Sequence, residues 1–300
     1  MFRSLLIPID LSTASSKVIG RAALLPLAEG AHLTLLHVVP QGLPRAARLS
    51  AEGDAQKALA AAAKRVAHLV PKGVVVKQLV KVGSAAAQIA RQAHAVRADL
   101  IVMGRGGGRA LRELFLGSTA ERVIRKGQLP VLVVRQPARA PYHRPLLALD
   151  TDPVAHDVLA LALRALAPSA RQIDLVHAYD LPHQGLIYPS LSPNQGQGYR
   201  NHYRQKALHD VAQLVATALA ELKPSPDDVP SFKTHVRYGS PRTLIPETVA
   251  ALRTDLLVLG THGYEGVAHA LLGTVAGDVL REVPCDVMVV PPSASTARKK

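Results

Sequence analysis

The chain has 300 residues, enough for two domains of ordinary size, and 48% are hydrophobic, which excludes wholesale disorder. Aromatics make up 3%, Trp is absent and Cys285 is the single cysteine, so the core rests on Ala, Val, Leu and Ile and no intrachain disulfide exists. The formal charge is +14, but Arg and Lys look scattered apart from the tail ARKK at 297–300, so nucleic acid is not an expected partner.

The elements follow in chain order. SLLIPI (4–9) is a short buried strand, and Ser12 or Thr13 can cap the helix after it. HLTLLHVV (32–39) is a second strand. Residues 54–70 place Ala58, Ala62, Val66 and Leu69 at helical spacing. VVVKQLVKV (74–82) is a β-branched third strand, after which Gly83 turns the chain and Ser84 can cap a helix to about residue 97. DLIVM (99–103) is a fourth strand, AERVIRK lies on a helix from near Ser118, and PVLVV (130–134) is a fifth strand. RQPARAPYHR (135–144) suits a linker.

The second half repeats this order. DLIVMG at 99–104 matches DLLVLG at 255–260, Gly83-Ser84 matches Gly239-Ser240, and Gly117-Ser118 matches Gly273-Thr274, all at an offset of 156. Near the start of each half the offset is 140, pairing Asp10 with Asp150 and His37 with His177. The second copy therefore carries about 16 extra residues, for which 180–200, rich in Pro, Gly, Ser and Gln, reads as a long loop. Leu208, Val211, Val215, Leu219 and Leu222 mark the helix that follows. Two domains are expected, 1–138 and 142–292, with a basic tail over 293–300.

Strands alternating with helices imply an α/β fold: two tandem doubly wound domains, each a five-stranded parallel sheet flanked by helices. Ligands of such sheets bind beyond the carboxyl ends of strands, where strand order reverses. Asp10 and Gly104 belong on that rim.

One spacing occurs twice: Gly, two residues, Gly, nine residues, Gly, then Ser or Thr. It comprises Gly104, Gly107, Gly117, Ser118 and Thr119, and again Gly260, Gly263, Gly273 and Thr274. Glycine lets backbone amides approach an anion, and a helix opening at Ser118 offers free N–H groups to phosphate. This is neither a Walker loop nor the dinucleotide fingerprint, because no Gly-Lys-Ser/Thr follows and the first strand ends in Asp10. One such cluster fits a plain strand end and helix cap equally well. Two copies at unchanged spacing, each paired with a strand-end aspartate, favour a phosphate cradle.

These motifs resemble the universal stress protein family, in tandem, over residues 1 to about 292. The resemblance rests on PID at the first strand end, on DLIVMG and on the glycine signature. It implies an adenine nucleotide, ATP or AMP/ADP with or without Mg²⁺, held by Pro8, Ile9, Asp10, Val39, Met103, Gly104, Gly107, Gly117, Ser118 and Thr119. In the second half it implies Asp150, Leu259, Gly260, His262, Gly263, Gly273, Thr274 and Val275. It further implies a pseudo-dimer of the two halves, pairing the fifth strands, with a homodimer beyond that.

No catalytic triad, acidic pair or metal spacing is identifiable. His37 and His177 read as packed, hydrogen-bonded residues, and Cys285 as a small core residue. The N-terminal apolar stretch is too short for a secretory signal and no run approaches a membrane span, so a soluble cytoplasmic protein is expected. The expected function is an ATP-binding stress-response sensor or regulator. The alternatives are slow ATP hydrolysis or self-phosphorylation at Ser118 or Thr119, and a nucleotide-independent scaffold that uses 180–200.

Overall fold

The structure is a computed structural model describing residues 1–106, 117–126, 129–152, 154–166, 169–181, 192–225, 229–261 and 272–292. In chain order the first half comprises β1 (Phe2–Pro8), α1 (Ser15–Ala23), β2 (Leu27–Val39), α2 (Arg45–Leu69), β3 (Val75–Val82), α3 (Ala85–Ala95), β4 (Leu100–Gly104), α4 (Ser118–Arg125) and β5 (Val131–Val134). The second comprises β6 (Pro145–Ala148), α5 (Val154–Leu166), β7 (Gln172–Tyr179), α6 (Pro193–Leu222), β8 (Ser231–Tyr238), α7 (Pro241–Leu252), β9 (Leu256–Gly260), α8 (Thr274–Glu282) and β10 (Asp286–Val290).

The strands form one sheet in the order β3-β2-β1-β4-β5-β10-β9-β6-β7-β8. Pairing is parallel within each half and antiparallel at the seam, where Val133 faces Val287 and Leu132 faces Met288. The central strands are apolar on both faces because helices cover both, whereas the outer strands β3 and β8 carry polar and charged residues. Leu5, Ile7, Leu100 and Leu132 belong to one core with α1, α2, α5 and α6, while Leu6, Ile101, Val131 and Val133 belong to the other with α3, α4, α7 and α8. Both cores run across the seam.

Several local readings change. The helix expected from residue 54 begins at Arg45, behind Pro44, and its buried face is Ala55, Leu59, Ala62, Ala63 and Val66, with Leu69 57% exposed. The loop expected through residue 200 ends early, because α6 starts at Pro193. Ser192 caps it, its Oγ accepting from Gln195 N while the Gln195 side chain accepts from Ser192 N, and a proline follows the cap. Neither Ser12 nor Thr13 caps α1, whose N-cap is Ala14. Ser84 sits at the N-cap of α3 without a side-chain cap bond. The turn residues Gly83 and Gly239 do adopt φ of 142° and 131°, which a side chain would oppose.

Beyond the strand pairing, charged side chains join the halves. Asp286, with no solvent exposure, opens β10. Its Oδ1 accepts from Arg135 N (2.7 Å) and Gln136 N (3.0 Å), and its Oδ2 from Arg21 Nε (3.1 Å) and Tyr142 OH (2.7 Å). The Arg21 guanidinium stacks 3.9 Å above the Tyr142 ring and donates to Ala140 O. One carboxylate thus holds α1, the linker and β10 together. Burial and the nearby charge of Asp286 push the Tyr142 phenol well above 10, so it remains a donor. On the far side Arg164 of α5 pairs with Asp99 at 2.7 Å and lies over the Phe2 ring.

Breaking a buried ion pair by removing one partner strands the other. Asp286→Ala should therefore lower unfolding free energy by about 3–5 kcal/mol. A urea titration followed by circular dichroism reads this as a lower midpoint.

Candidate functional site

The strand order places β1 beside β4, with Leu5 opposite Leu100 and Leu6 opposite Ile101. This is the reversal point of the first half, because β2 and β3 continue to one side and β5 to the other. Asp10 follows β1 and Gly104 ends β4, so both stand on the same carboxyl rim. The second half repeats this with β6 beside β9, Asp150 and Gly260.

The exit from β1 is tightly built. Pro8 is the last residue of the strand. Ile9 is buried; its N–H donates to Leu36 O, and its carbonyl meets His37 Nδ1 at 2.9 Å. His177 Nδ1 meets Leu149 O at the same 2.9 Å. These histidines tie the end of one strand to the exit of its neighbour, as packed residues would. The Asp10 side chain folds into the following turn: its Oδ1 accepts from Ser12 N (3.0 Å), Ser12 Oγ (2.6 Å) and Ser15 Oγ (3.0 Å). That turn holds Leu11 at φ 63°, a conformation unfavourable for a branched aliphatic residue. Partial burial works to raise the Asp10 pKa, but the hydrogen bonds from Ser12 and Ser15 outweigh it and hold the carboxyl below its ordinary value.

Asp150 is used differently. Its Oδ1 accepts from Thr151 N at 2.8 Å, and Asp152 takes the helix-facing role by accepting from Ala155 N at 3.1 Å. The two halves thus share an exposed strand-end aspartate but not the turn around it.

The helix openings match closely. Gly117 N donates to Arg105 O and Gly273 N to Thr261 O, both at 2.8 Å. The first bonds back to the caps are Glu121 N to Gly117 O and Gly277 N to Gly273 O. The N–H groups of Ser118, Thr119 and Ala120, and of Thr274, Val275 and Ala276, therefore lie in the turn that intrahelical bonding leaves unused. Ser118 and Thr274 are exposed, whereas Ala120 and Ala276 are buried. A Cβ on Gly117 would lie 2.5 Å from Arg105 O and 2.6 Å from Gly106 O, so only glycine lets the returning chain close on the end of β4.

The other expected residues divide into wall and unplaced positions. Val39 and Met103 are buried at 1% and 4% exposure; the Val39 carbonyl accepts from Gly83 N, and Met103 is packed in the core under the rim. Leu259 is likewise buried, and Val275 packs partly against the same core. Gly104 lies opposite Val134, and Gly260 opposite Val290. Gly107, His262 and Gly263 fall outside the described residues. Two concavities lie elsewhere: about 10 Å³ between α3 and α4, and about 290 Å³ lined by Gln136, Arg253, Thr254 and Cys285. The second opens at the amino ends of β9 and β10, away from Asp150 and Gly273.

Residues not singled out from the sequence complete the frame. Asp99 accepts from the N–H groups of Arg3 (2.6 Å) and Ser4 (3.0 Å), and Asp255 from those of His143 (2.8 Å) and Arg144 (3.0 Å). The first residues of DLIVMG and DLLVLG thus clamp the amino ends of β1 and β6, opposite the candidate site. Arg135 donates to the Val283 and Leu280 carbonyls at the end of α8. Burial, with Arg105 adding repulsion, lowers its pKa to about 10. Cys285 is buried and its thiol is pushed up to about 12 by desolvation, which makes it an inert core residue. No group of three or more metal-ligating side chains occurs among the described residues.

Comparison with known proteins agrees with this architecture. The sequence pattern of the Universal stress protein family matches residues 1–135 and again 141–291. The chain is 28% identical over 152 residues to universal stress protein A homolog 1 of Coxiella burnetii, covering 50% of this chain and 96% of that protein. It is 28% identical over 203 residues to a universal stress protein of Mycobacterium bovis, covering 64% and 61% respectively. A universal stress protein of Archaeoglobus fulgidus superposes with a TM-score of 0.72 at 17% identity, covering 97% of this chain and 99% of that one. That likeness shows the fold.

Two outcomes test the construction. Gly117→Ala should cost about 1–3 kcal/mol, because the added methyl meets backbone oxygen; unfolding monitored by circular dichroism measures it. The lowered pKa of Asp10 means its carboxylate stabilises the fold above about pH 4, the ordinary Asp value, and that this contribution is lost as pH falls through the folded-state pKa. Asp10→Asn should remove that part of the acid dependence, read from melting temperatures between pH 2 and 6.

Proposed function

Because the chain belongs to the universal stress protein family, we propose that it binds an adenine nucleotide at the carboxyl rim of each half and acts as a stress-response regulator. The observation that carries this reading is the repeated pairing of a strand-end aspartate with a glycine-seated helix opening. Asp10 and Asp150 are exposed carboxylates suited to ribose or base hydroxyl and amino groups. The helix turns at Ser118 and Thr274 offer N–H groups, a hydroxyl and the positive end of a helix dipole to phosphate. The residues present fit the nucleotide in charge and chemistry. Buried Ile9, Met103 and Leu259 floor the rim.

Any Mg²⁺ would travel with the phosphates, since this ion keeps several waters and takes few protein ligands. The Ser118 and Thr119 hydroxyls would orient phosphate, and Asp10, already held by Ser12 and Ser15, would present its remaining oxygen to the ligand. The reading is one of binding and conformational output. The reading extends to a cytoplasmic protein that pairs into homodimers.

Calorimetric titration with ATP tests this reading. Saturable heat is expected, weakened about tenfold to a hundredfold at the affected half by Asp10→Ala or Asp150→Ala. The absence of saturable heat at millimolar ATP overturns it.

A further inference from the structure

We propose that the N-terminal overhang of α6 is a binding surface for single-stranded nucleic acid, built from Tyr199, Arg200, Tyr203 and Arg204. This surface stands apart from the nucleotide reading, and neither needs the other.

The overhang follows from length. At 30 residues α6 spans about 45 Å, while the eight residues of β8, on which it packs, span about 26 Å. Its buried side chains, Ala207, Val211, Val215 and Ala218, all lie in the C-terminal part. From 197 to 206 no residue is buried. Past the buried Gly196 of the first turn, residues 197–206 therefore lie outside the core at the carboxyl rim of the second half, on a helix opened by the Ser192 capping box.

The projecting segment reads YRNHYRQK from 199 to 206. Positions four apart are neighbours on a helix, so Tyr199 and Tyr203 form one stripe and Arg200 and Arg204 form the next. The tyrosine rings meet edge to face at 4.8 Å between centroids, and His202 lies against Tyr203 at 5.3 Å. Both arginines are exposed. No carboxylate occurs from 193 to 209; the first is Asp210, which pairs with Lys206 at 2.7 Å.

Aromatic faces beside guanidinium groups match a single strand, whose bases stack while its phosphates take the charge. The chain's net charge of +14 favours the same polyanion. A lipid surface fits less well, because residues 193–206 contain no Leu, Ile, Val, Phe or Trp to enter a bilayer. The counterpart helix α2 lacks the feature: its first turns carry Glu52 and Asp54 and no aromatic residue. The grouping is hidden when cations are viewed along the whole chain, because the segment reads as loop until the helix is known.

Fluorescence anisotropy of the full chain with a fluorescein-labelled oligouridine tests the proposal. Saturable binding is expected. Arg200→Gln with Arg204→Gln should weaken it at least tenfold and reduce the slope of log affinity against log salt by about 1.4, since each phosphate contact on a single strand contributes about 0.7. Tyr199→Leu with Tyr203→Leu should weaken it by roughly tenfold at an unchanged salt slope. Arg65→Gln with Arg91→Gln, on α2 and α3, should change neither, and circular dichroism should show equal helix in all variants. The proposal is overturned by no saturable binding, by an equal loss in the Arg65 and Arg91 control, or by tyrosine variants that bind as the parent does. Binding to phosphatidylserine vesicles without binding to oligouridine also overturns it and assigns the surface to lipid.

Discussion

The antiparallel pairing of β5 with β10 closes two sheet edges at once. Each half alone would end in a short strand whose residues are all buried here, Val131–Val134 in one and Asp286–Val290 in the other. Such an edge is a template for further pairing unless something covers it. The chain covers each edge with the other, and both helical layers continue over the joint. The antiparallel sense has a second consequence. The carboxyl rim of the first half points opposite to that of the second, so the two candidate sites face away from one another across one sheet.

Strand pairing alone leaves register and orientation open to slippage, because short apolar strands carry little positional information. Asp286 supplies it. A carboxylate without solvent contact needs its acceptor sites filled, and the donors here come from α1, from the backbone after β5 and from the linker tyrosine. Misplacing either half would strand the charge. The arrangement is also asymmetric, since the position matching Asp286 in the first half is Pro130. A duplicated chain thus acquired this lock in one of its copies, placed where its linker passes.

The two rims show how far duplication constrains a site. The helix openings kept their geometry, with equal bonds from Gly117 and Gly273 to the chain leaving the fourth strand of each half. Closure of the backbone explains that persistence, since the space at Gly117 admits no side chain. The aspartates kept their place but not their bonding. Asp10 is gathered into a serine-rich turn, and Asp150 is left to one backbone N–H while Asp152 serves the helix. The inequality of the halves lies in these turns.

The sequence by itself determined the duplication, the order of strands and helices in each half, and the rim on which Asp10, Gly104 and Ser118 meet. Those follow from local periodicity and from spacing, which survive in one dimension. It also held the start of α6 in the order Ser192, Pro193, Gln195, although the surrounding Gly and Pro masked it as loop. Only the tertiary structure decided which partners Asp10, Asp99 and Asp286 serve. A carboxylate looks the same in sequence whether it clamps a strand, shapes a turn or locks two domains. Its role is set by donors 2 to 265 residues away that folding alone brings within 3.1 Å.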